Sequence, residues 1–258
     1  MSFSAKAAVL AMRFAKRLGM FPKAGDFESE IVKAKDYNKK HPYKEPSDHK
    51  ALYGTEHIAG YPILEIRQRG ASHKKAILFL HGGGDKDTWK PEISFACNYG
   101  KLTDTDVIYP IYPPFTEVPV ADPADLIYEV YQSVVMKYGA ENIAVLGGSY
   151  GGFLAMQLIT WINRNGNKAD MPALLIMNSP FAFPETEEEW ALAEKVEKND
   201  LMVSEGAFRF MMDGVMRTDP HTPDYALYPD KMDFRHAPET YVFYADEACA
   251  CEIGRAHV

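Results

Sequence analysis

The sequence has little cysteine, no long hydrophobic run and no excess of basic residues. Its three cysteines, Cys97, Cys249 and Cys251, are too few and too unevenly spaced for a disulfide framework, so we expect reduced thiols in a cytoplasmic protein. No apolar stretch reaches transmembrane length, and charged residues interrupt the apolar positions of the N-terminal segment, which does not fit a signal peptide. A net charge of −8 would repel a phosphate backbone, so we expect no nucleic acid partner.

Sequence motifs for metals and cofactors are also missing. The chain has no H-E-x-x-H, no C-x-x-C pair and no G-x-G-x-x-G after a strand, so we expect neither a metal site nor a cofactor. What is present is a chain of 258 residues, 47% hydrophobic and 25% charged, which is ordinary globular composition. This length suffices for one α/β domain with a sizeable core and an added cap.

Residues 142–152, with the sequence NIAVLGGSYGG, are the most informative stretch. Its first half is a short apolar run that predicts a buried strand, and residues 153–164 predict a helix. Between them, residues 147–151 match G-x-S-x-G, the pattern of a nucleophile elbow, in which the serine occupies a sharp strand-to-helix turn. Because both flanking elements are present, we interpret Ser149 as a nucleophile rather than as part of a plain Gly-Ser turn.

A second glycine-rich turn, His81-Gly82-Gly83-Gly84, directly follows the predicted strand Lys75–Leu80. Its backbone N–H groups are unobstructed by side chains, and such donors can stabilise the oxyanion that forms in acyl transfer. The N–H of the residue after the nucleophile would complete this oxyanion hole. The predicted oxyanion donors are Gly82, Gly83 and Tyr150. The residues predicted to support the two motifs are His81, which would brace the loop, and Gly84, Gly147 and Gly151.

Further predicted strands alternate with helices along the chain. Residues 55–69 suggest a hairpin, Asp106–Tyr112, Ala173–Met177 and Thr240–Tyr244 are predicted strands, and residues 121–138 are predicted to be helical. Alternating strands and helices indicate an α/β fold with a mostly parallel central sheet.

Residues 181–237 break this alternation, because they contain two helical stretches and no predicted strand. We interpret them as a helical cap that could cover the site. The predicted organisation is an N-terminal helical or cap segment (1–50), the α/β core (51–180), the cap insertion (181–237), the continued core (238–252) and a tail (253–258).

These pieces resemble the α/β-hydrolase fold-3 family, also called the hormone-sensitive-lipase-like or acetyl-esterase group. The matching stretches are HGGG (81–84), YPIYPPFTEVP (109–119), GGSYGG (147–152), NSPF (178–181), residues 219–238 and TYVFYADEA (240–248). The resemblance implies an α/β-hydrolase fold with a helical cap. It also implies a serine hydrolase that cleaves short-chain carboxylic esters through an acyl-enzyme intermediate, with a small-molecule ester as its partner.

The central motif departs from the family's usual G-D-S-A-G-G, because Gly148 and Tyr150 replace aspartate and alanine. GGSYGG also occurs in prolyl-oligopeptidase-like peptidases, so a small serine peptidase or amidase of the same fold is an alternative. A non-catalytic binding module on the hydrolase scaffold is a third hypothesis, since fold does not fix function.

The resemblance also implies the positions of the acid and the base. The family's acid follows the seventh strand in a D-x-apolar motif, which Asp246 matches, with Glu247 as the fallback. The base should be a histidine further along the chain, beyond another helix and strand, yet only His257 follows Asp246. The last six residues, IGRAHV (253–258), match the translation of a common sequencing adapter. We therefore expect a truncated sequence with an artefactual tail, which lacks its catalytic histidine and is inactive as printed.

Aromatic and methionine side chains suggest an apolar pocket for a small acyl group. The candidates are Trp89, Phe115, Tyr150 and the Phe/Met-rich stretch 204–216. The last of these is equally consistent with the internal core of the cap.

Overall fold

A seven-stranded sheet organises the chain in the computed structural model. The structure describes residues 10–16, 18, 27–48, 50–83, 90–114, 117–119, 121–166, 168–197, 200 and 206–244. The strands are β1 (Leu52–Ile58), β2 (Tyr61–Arg67), β3 (Ala76–Leu80), β4 (Asp106–Pro110), β5 (Ile143–Gly148), β6 (Leu174–Asn178) and β7 (Glu239–Phe243). The helices are α1, whose described residues are 10–16, α2 (Phe27–Lys40), α3 (Lys90–Thr103), α4 (Ala121–Tyr138), α5 (Tyr150–Asn165), α6 (Glu187–Glu197) and α7 (Ala207–Thr218).

The strands lie in the order β1-β2-β4-β3-β5-β6-β7. β1 and β2 form an antiparallel hairpin, β2 is antiparallel to β4, and all the remaining pairs are parallel. In the parallel register Leu80 lies opposite Gly147, Gly148 lies opposite Asn178, and Asn178 lies opposite Phe243. The carboxyl ends of β3, β5, β6 and β7 therefore meet at one edge of the sheet, where α/β folds place their ligands.

Successive side chains of the central strands point to opposite faces of the sheet, and each face packs against its own hydrophobic core. In β3, Leu78 and Leu80 belong to the core under α4 and α5, whereas Ile77 and Phe79 belong to the core under α3. All five residues of β3 are buried. A strand covered on both faces needs apolar residues at every position, which is why β3 is a continuous apolar run.

The segment between β6 and β7 contains α6, α7 and two short 3₁₀ turns, and no strand is found among its described residues. Glu197, the buried last residue of α6, accepts hydrogen bonds from the backbone N–H groups of Gly206 and Phe208, at 2.7 and 3.0 Å. This carboxylate satisfies donors at the start of α7, where negative charge is also favoured by the helix dipole. Lys16 donates to the carbonyl oxygen of Glu197 at 2.6 Å, which connects α1 to the end of α6.

The predicted fold class is confirmed, because the sheet is mostly parallel and flanked by helices. The predicted hairpin, the strands and the helix at 121–138 are present with ends shifted by at most a few residues. Helix α3 was not predicted. Its inner face buries Ile93, Ala96 and Cys97, but its outer face exposes the apolar residues Phe95 and Leu102, so no clear one-sided period marks it.

Two further details refine the expectations. The charged stretch before Pro42 forms helix α2, which ends at Lys40, as expected for a helix that precedes a proline. None of the helices in the described part of the chain has the length and hydropathy to span a membrane.

Candidate active site

Ser149 lies in the turn between β5 and α5, with φ 50° and ψ −118°. A positive φ is uncommon for a residue with a side chain and costs free energy, so the surrounding structure must hold it. The Ser149 N–H donates to the carbonyl oxygen of Asn178 at 3.0 Å, and its own carbonyl oxygen accepts from Gly152, Phe153 and Phe181. Ser149 is nevertheless exposed to solvent. A strained, firmly held and accessible serine at a strand-to-helix turn is the geometry of a nucleophile elbow.

Close backbone contacts explain the glycines of the elbow. A Cβ on Gly151 would overlap the carbonyl groups of Leu80 and His81, and one on Gly147 would overlap the backbone of Gly151. Gly148 differs, because nothing lies within 4 Å of the position that its Cβ would occupy. The motif therefore requires glycine where α5 crosses β3 and β5 and tolerates other residues at 148, the position where the family usually carries aspartate.

The turn after β3 packs directly against the nucleophile. A Cβ on Gly82 would lie 3.4 Å from the Cβ of Ser149 and 3.3 Å from the carbonyl oxygen of Gly148. Gly83 adopts φ +65°, a conformation that favours glycine. Tyr150 is the first residue of α5, so its N–H belongs to the positive end of the helix dipole. The three predicted oxyanion donors thus come from two segments that meet at Ser149.

His81 is a buried, neutral residue of the turn. Its Nδ1 lies 2.8 Å from the carbonyl oxygen of Gly82, so Nδ1 carries the proton and donates. The ring stacks on Tyr112 with 4.0 Å between centroids, and the Tyr112 hydroxyl donates to the His81 carbonyl oxygen. Burial lowers the pKa of His81 to about 4, although the Gly82 carbonyl partly opposes this shift. These contacts stabilise the turn, and all of them involve His81.

Glu92, in the first turn of α3, is a site residue that sequence reasoning missed. The N–H of Gly82 donates to Oε1 of Glu92 at 3.0 Å. Burial raises the pKa of the Glu92 carboxyl group, and the Gly82 N–H partly offsets this increase. The only sequence signal is an acidic residue after Pro91 at the start of a helix, ten positions beyond Gly82, which by itself indicates a helix N-terminus.

Several predicted site residues lie outside the described residues. These are Gly84 in the glycine turn, Asp246 and Glu247 after β7, His257, and Trp89 and Phe115 of the predicted pocket. The strand that leads to the predicted acid is described, and it runs parallel to β6 toward the Ser149 edge. Its last residue, Phe243, accepts a hydrogen bond from the N–H of Ser179, whose neighbour Asn178 holds Ser149.

The aromatic residues beside the elbow are packed in the core. Tyr150 is almost fully buried and stacks on Phe153, and Phe208 of α7 stacks on Phe181 with 4.8 Å between centroids. Phe210, Met211 and Met212 are partly buried against the same core. The described contacts of the Phe/Met-rich stretch therefore favour the second of its two interpretations, in which it packs the cap onto the sheet. The described residues contain no cluster of three metal-ligating side chains.

We compared the chain with models of protein families and with solved structures. A family model for the alpha/beta hydrolase fold matches residues 77–256, which is more than half of the chain. A candidate esterase from Staphylococcus aureus superposes with a TM-score of 0.79 at 22% identity, over 92% of this chain and 80% of that one. No sequence match is found among the curated proteins.

Two further solved structures have the same fold. An esterase from the bacterial hormone-sensitive lipase family superposes with a TM-score of 0.73 at 19% identity, over 99% of this chain and 83% of that one. A hormone-sensitive lipase from a metagenome library gives 0.75 at 16% identity, over 97% and 81%. At these identities the structural likeness shows the fold, in agreement with the family match.

Proposed function

The chain belongs to the α/β-hydrolase fold-3 family, and we propose that it is a serine hydrolase that cleaves short-chain carboxylic esters. The observation that carries this proposal is the strained backbone of Ser149 at a solvent-exposed strand-to-helix turn, with the glycine turn after β3 packed against it. Strain of this kind persists only where the surrounding structure maintains it, and it is typical of functional sites. The esterases among the similar structures support the same reaction class.

In the proposed reaction, the Ser149 hydroxyl oxygen attacks the ester carbonyl carbon while its proton passes to a histidine base. The carbonyl oxygen becomes an oxyanion that accepts hydrogen bonds from the backbone donors of the glycine turn and of Tyr150. The histidine then protonates the leaving alcohol, and the acyl-enzyme forms. Water, deprotonated by the same histidine, releases the carboxylic acid and restores Ser149.

Asp246 is the proposed orienter of that histidine, with Glu247 as the fallback. β7 supports this assignment, because its carboxyl end lies at the edge of the sheet where Ser149 lies. A carboxylate hydrogen-bonded to the second ring nitrogen would fix the tautomer of the base and stabilise the imidazolium.

The base itself must be a histidine other than His81. The ring of His81 is buried and its pKa is held at about 4, and its Nδ1 proton is bound to the Gly82 carbonyl. A base that shuttles a proton near pH 7 requires a higher pKa and an accessible ring nitrogen. The proposed base is therefore the histidine that the family resemblance implies after the acid.

The experiment compares two proteins, the 258-residue chain and, where the natural reading frame continues beyond codon 252, the extended protein that it encodes. We expect p-nitrophenyl acetate and butyrate to be hydrolysed by the protein that contains the base, and hydrolysis to be slower by about 10³-fold or more in a protein that lacks it. Ser149→Ala in the extended protein should abolish turnover, with Ser179→Ala as the matched serine control.

Substrate class is tested in the same assay. Peptide p-nitroanilides and long-chain triglycerides should be hydrolysed much more slowly than the short esters. Faster cleavage of the anilide would instead favour a peptidase or amidase. If no ester is hydrolysed by either protein, the proposed function is wrong and a binding module becomes the better interpretation.

A further inference from the structure

Glu92 is a mostly buried carboxylate beside the proposed nucleophile, and its described hydrogen bond goes to Gly82 rather than to a residue of α3. Its side chain is 18% exposed, and its Oε1 lies within 3.4 Å of the position that a Cβ on Gly82 would occupy. The same position is 3.4 Å from the Cβ of Ser149, so the carboxylate and the serine flank one glycine. Burying a carboxylate is costly unless it makes compensating hydrogen bonds, which implies a specific role for this one.

Among the residues that the structure describes, ion pairing does not account for the carboxylate. The nearest basic ring atom, Nδ1 of His81, is 4.0 Å from Oε2 and donates its proton to the Gly82 carbonyl instead. Because burial keeps His81 neutral, there is no positive charge in this pair. The second carboxylate oxygen, Oε2, is buried and has no hydrogen-bond partner in the part of the chain that the structure describes. The one defined hydrogen bond of Glu92 is therefore the one to Gly82.

The Gly82–Glu92 hydrogen bond holds one of the two peptide groups of Gly82, and a hydrogen bond from His81 holds the second. The Gly82 carbonyl is held by His81, and its N–H is held by Glu92. The preceding carbonyl, of His81, accepts from the Tyr112 hydroxyl. A glycine has wide conformational freedom, and these three bonds remove it at a residue that contacts the nucleophile. The N–H of Gly83, which shares a peptide group with the Gly82 carbonyl, therefore has a fixed direction.

We infer that Glu92 is a positioning residue for the oxyanion hole: its carboxylate holds the N–H of Gly82 and thereby orients the glycine turn beside Ser149. The inference rests on the proposed ester hydrolysis. It assigns oxyanion binding to Gly83 and Tyr150 among the three predicted donors, and it gives Gly82 a structural bond instead. Preorganised donors contribute more to catalysis than donors that must rearrange, so loss of this bond should reduce the rate of the chemical step.

The test compares Glu92→Ala, Glu92→Gln and the matched helix-surface control Glu129→Gln in the ester-hydrolysing protein. Glutamine retains a carbonyl oxygen that can accept from Gly82, whereas alanine does not. We expect Glu92→Ala to lower kcat by about tenfold or more with little change in KM, since the effect is on the transition state. Glu92→Gln should recover most of that loss, and Glu129→Gln should match the parent protein.

A second measurement does not depend on turnover. In protein labelled with ¹⁵N-glycine, the Gly82 amide should exchange slowly with solvent in the parent protein and in Glu92→Gln, and rapidly in Glu92→Ala. Unchanged kcat in Glu92→Ala, or an equal loss in Glu92→Gln, would overturn the inference. Rapid exchange of the parent Gly82 amide would also overturn it. Inactivity of the parent protein with slow Gly82 exchange would reject the proposed function while retaining the bond.

Discussion

Two histidine–carboxylate pairs lie at opposite edges of the sheet. They differ in the distance between the two side chains and in the groups that these side chains bind. At the amino edge, Nδ1 of His73 lies 2.8 Å from the carboxylate of Asp106, which also accepts from Tyr138 at 2.9 Å. At the carboxyl edge, His81 and Glu92 are 4.0 Å apart and each binds a backbone group of Gly82. Both carboxylates are largely buried.

The difference lies in what each pair holds. Asp106, the first residue of β4, joins α4 to the segment before β3, so its pair connects elements that are already packed together. His81 and Glu92 hold a glycine against a strained, exposed serine. Residue types alone would have ranked the tighter His73–Asp106 pair as the better catalytic candidate. The packing of the second pair's glycine against Ser149 reverses that ranking. A positive φ alone does not, because His73 also has one, at 53°.

The largest expected effect is a loss of kcat, and it shows which of the two residues proposed after β7 is the triad acid. Asp246→Asn in the extended protein should lower kcat by about 10³- to 10⁴-fold, because the base would lose its orienting carboxylate. Glu247→Gln should have a small effect in the same p-nitrophenyl butyrate assay. The opposite pattern would make Glu247 the acid, and equal, small effects would remove both residues from the mechanism.

Gly151→Ala should be the most destabilising change at the carboxyl edge. The added Cβ would overlap the carbonyl of Leu80, and such overpacking of backbone costs about 3 kcal/mol or more. Gly148→Ala is the matched control, because open space surrounds the position of its Cβ, and it should cost less than about 1 kcal/mol. Urea unfolding monitored by circular dichroism would measure both, and similar losses in the two variants would contradict the packing described here.

The neutral state of His81 predicts an acid-sensitive stability. The pKa of His81 is lowered to about 4 from an ordinary value of 6.5, so the unfolded chain binds an extra proton between these pH values. The free energy of unfolding should therefore fall as the pH is lowered through this window, by about 3 kcal/mol in total. His81→Asn, whose amide can also donate to the Gly82 carbonyl, should lose this component. Equal pH slopes in the two proteins would show that His81 is not held neutral.

The smallest expected effect concerns the pair at the amino edge. Asp106→Ala should cost about 2 kcal/mol, because Tyr138 and His73 lose a buried hydrogen-bond acceptor. Ester hydrolysis by the folded variant should be unchanged, in contrast to the Glu92→Ala protein. A selective loss of kcat in Asp106→Ala would mean that the two edges are coupled, and the contrast drawn above would be wrong.

Most of the fold was predictable because the sheet is built from continuous apolar runs punctuated by glycine and proline. β3 and β5 could be recognised in this way, and the G-x-S-x-G motif between β5 and α5 predicted Ser149 as the nucleophile. Helix α3 escaped prediction because its apolar residues lie on both faces. Glu92 escaped with it, since its contact with Gly82 joins residues ten positions apart and depends on where α3 packs, which no local pattern encodes.

The Phe/Met-rich stretch shows a different limit of sequence reasoning. Its amphipathic pattern is compatible with a pocket wall and with a packed interface, because both need apolar side chains on one helix face. The stacking of Phe208 on Phe181 favours the interface. Helical period reveals which face is apolar, and only the tertiary structure shows what that face contacts.

Covalent labelling of Ser149 tests the central claim most directly. The extended protein would be treated with a fluorophosphonate, which reacts with activated serines, and the modified peptide would be identified by mass spectrometry. We predict one adduct per chain, located on Ser149, absent from Ser149→Ala and formed more slowly in Glu92→Ala. An unmodified Ser149, or an adduct confined to another residue such as Ser179, would contradict the assignment of Ser149 as the nucleophile.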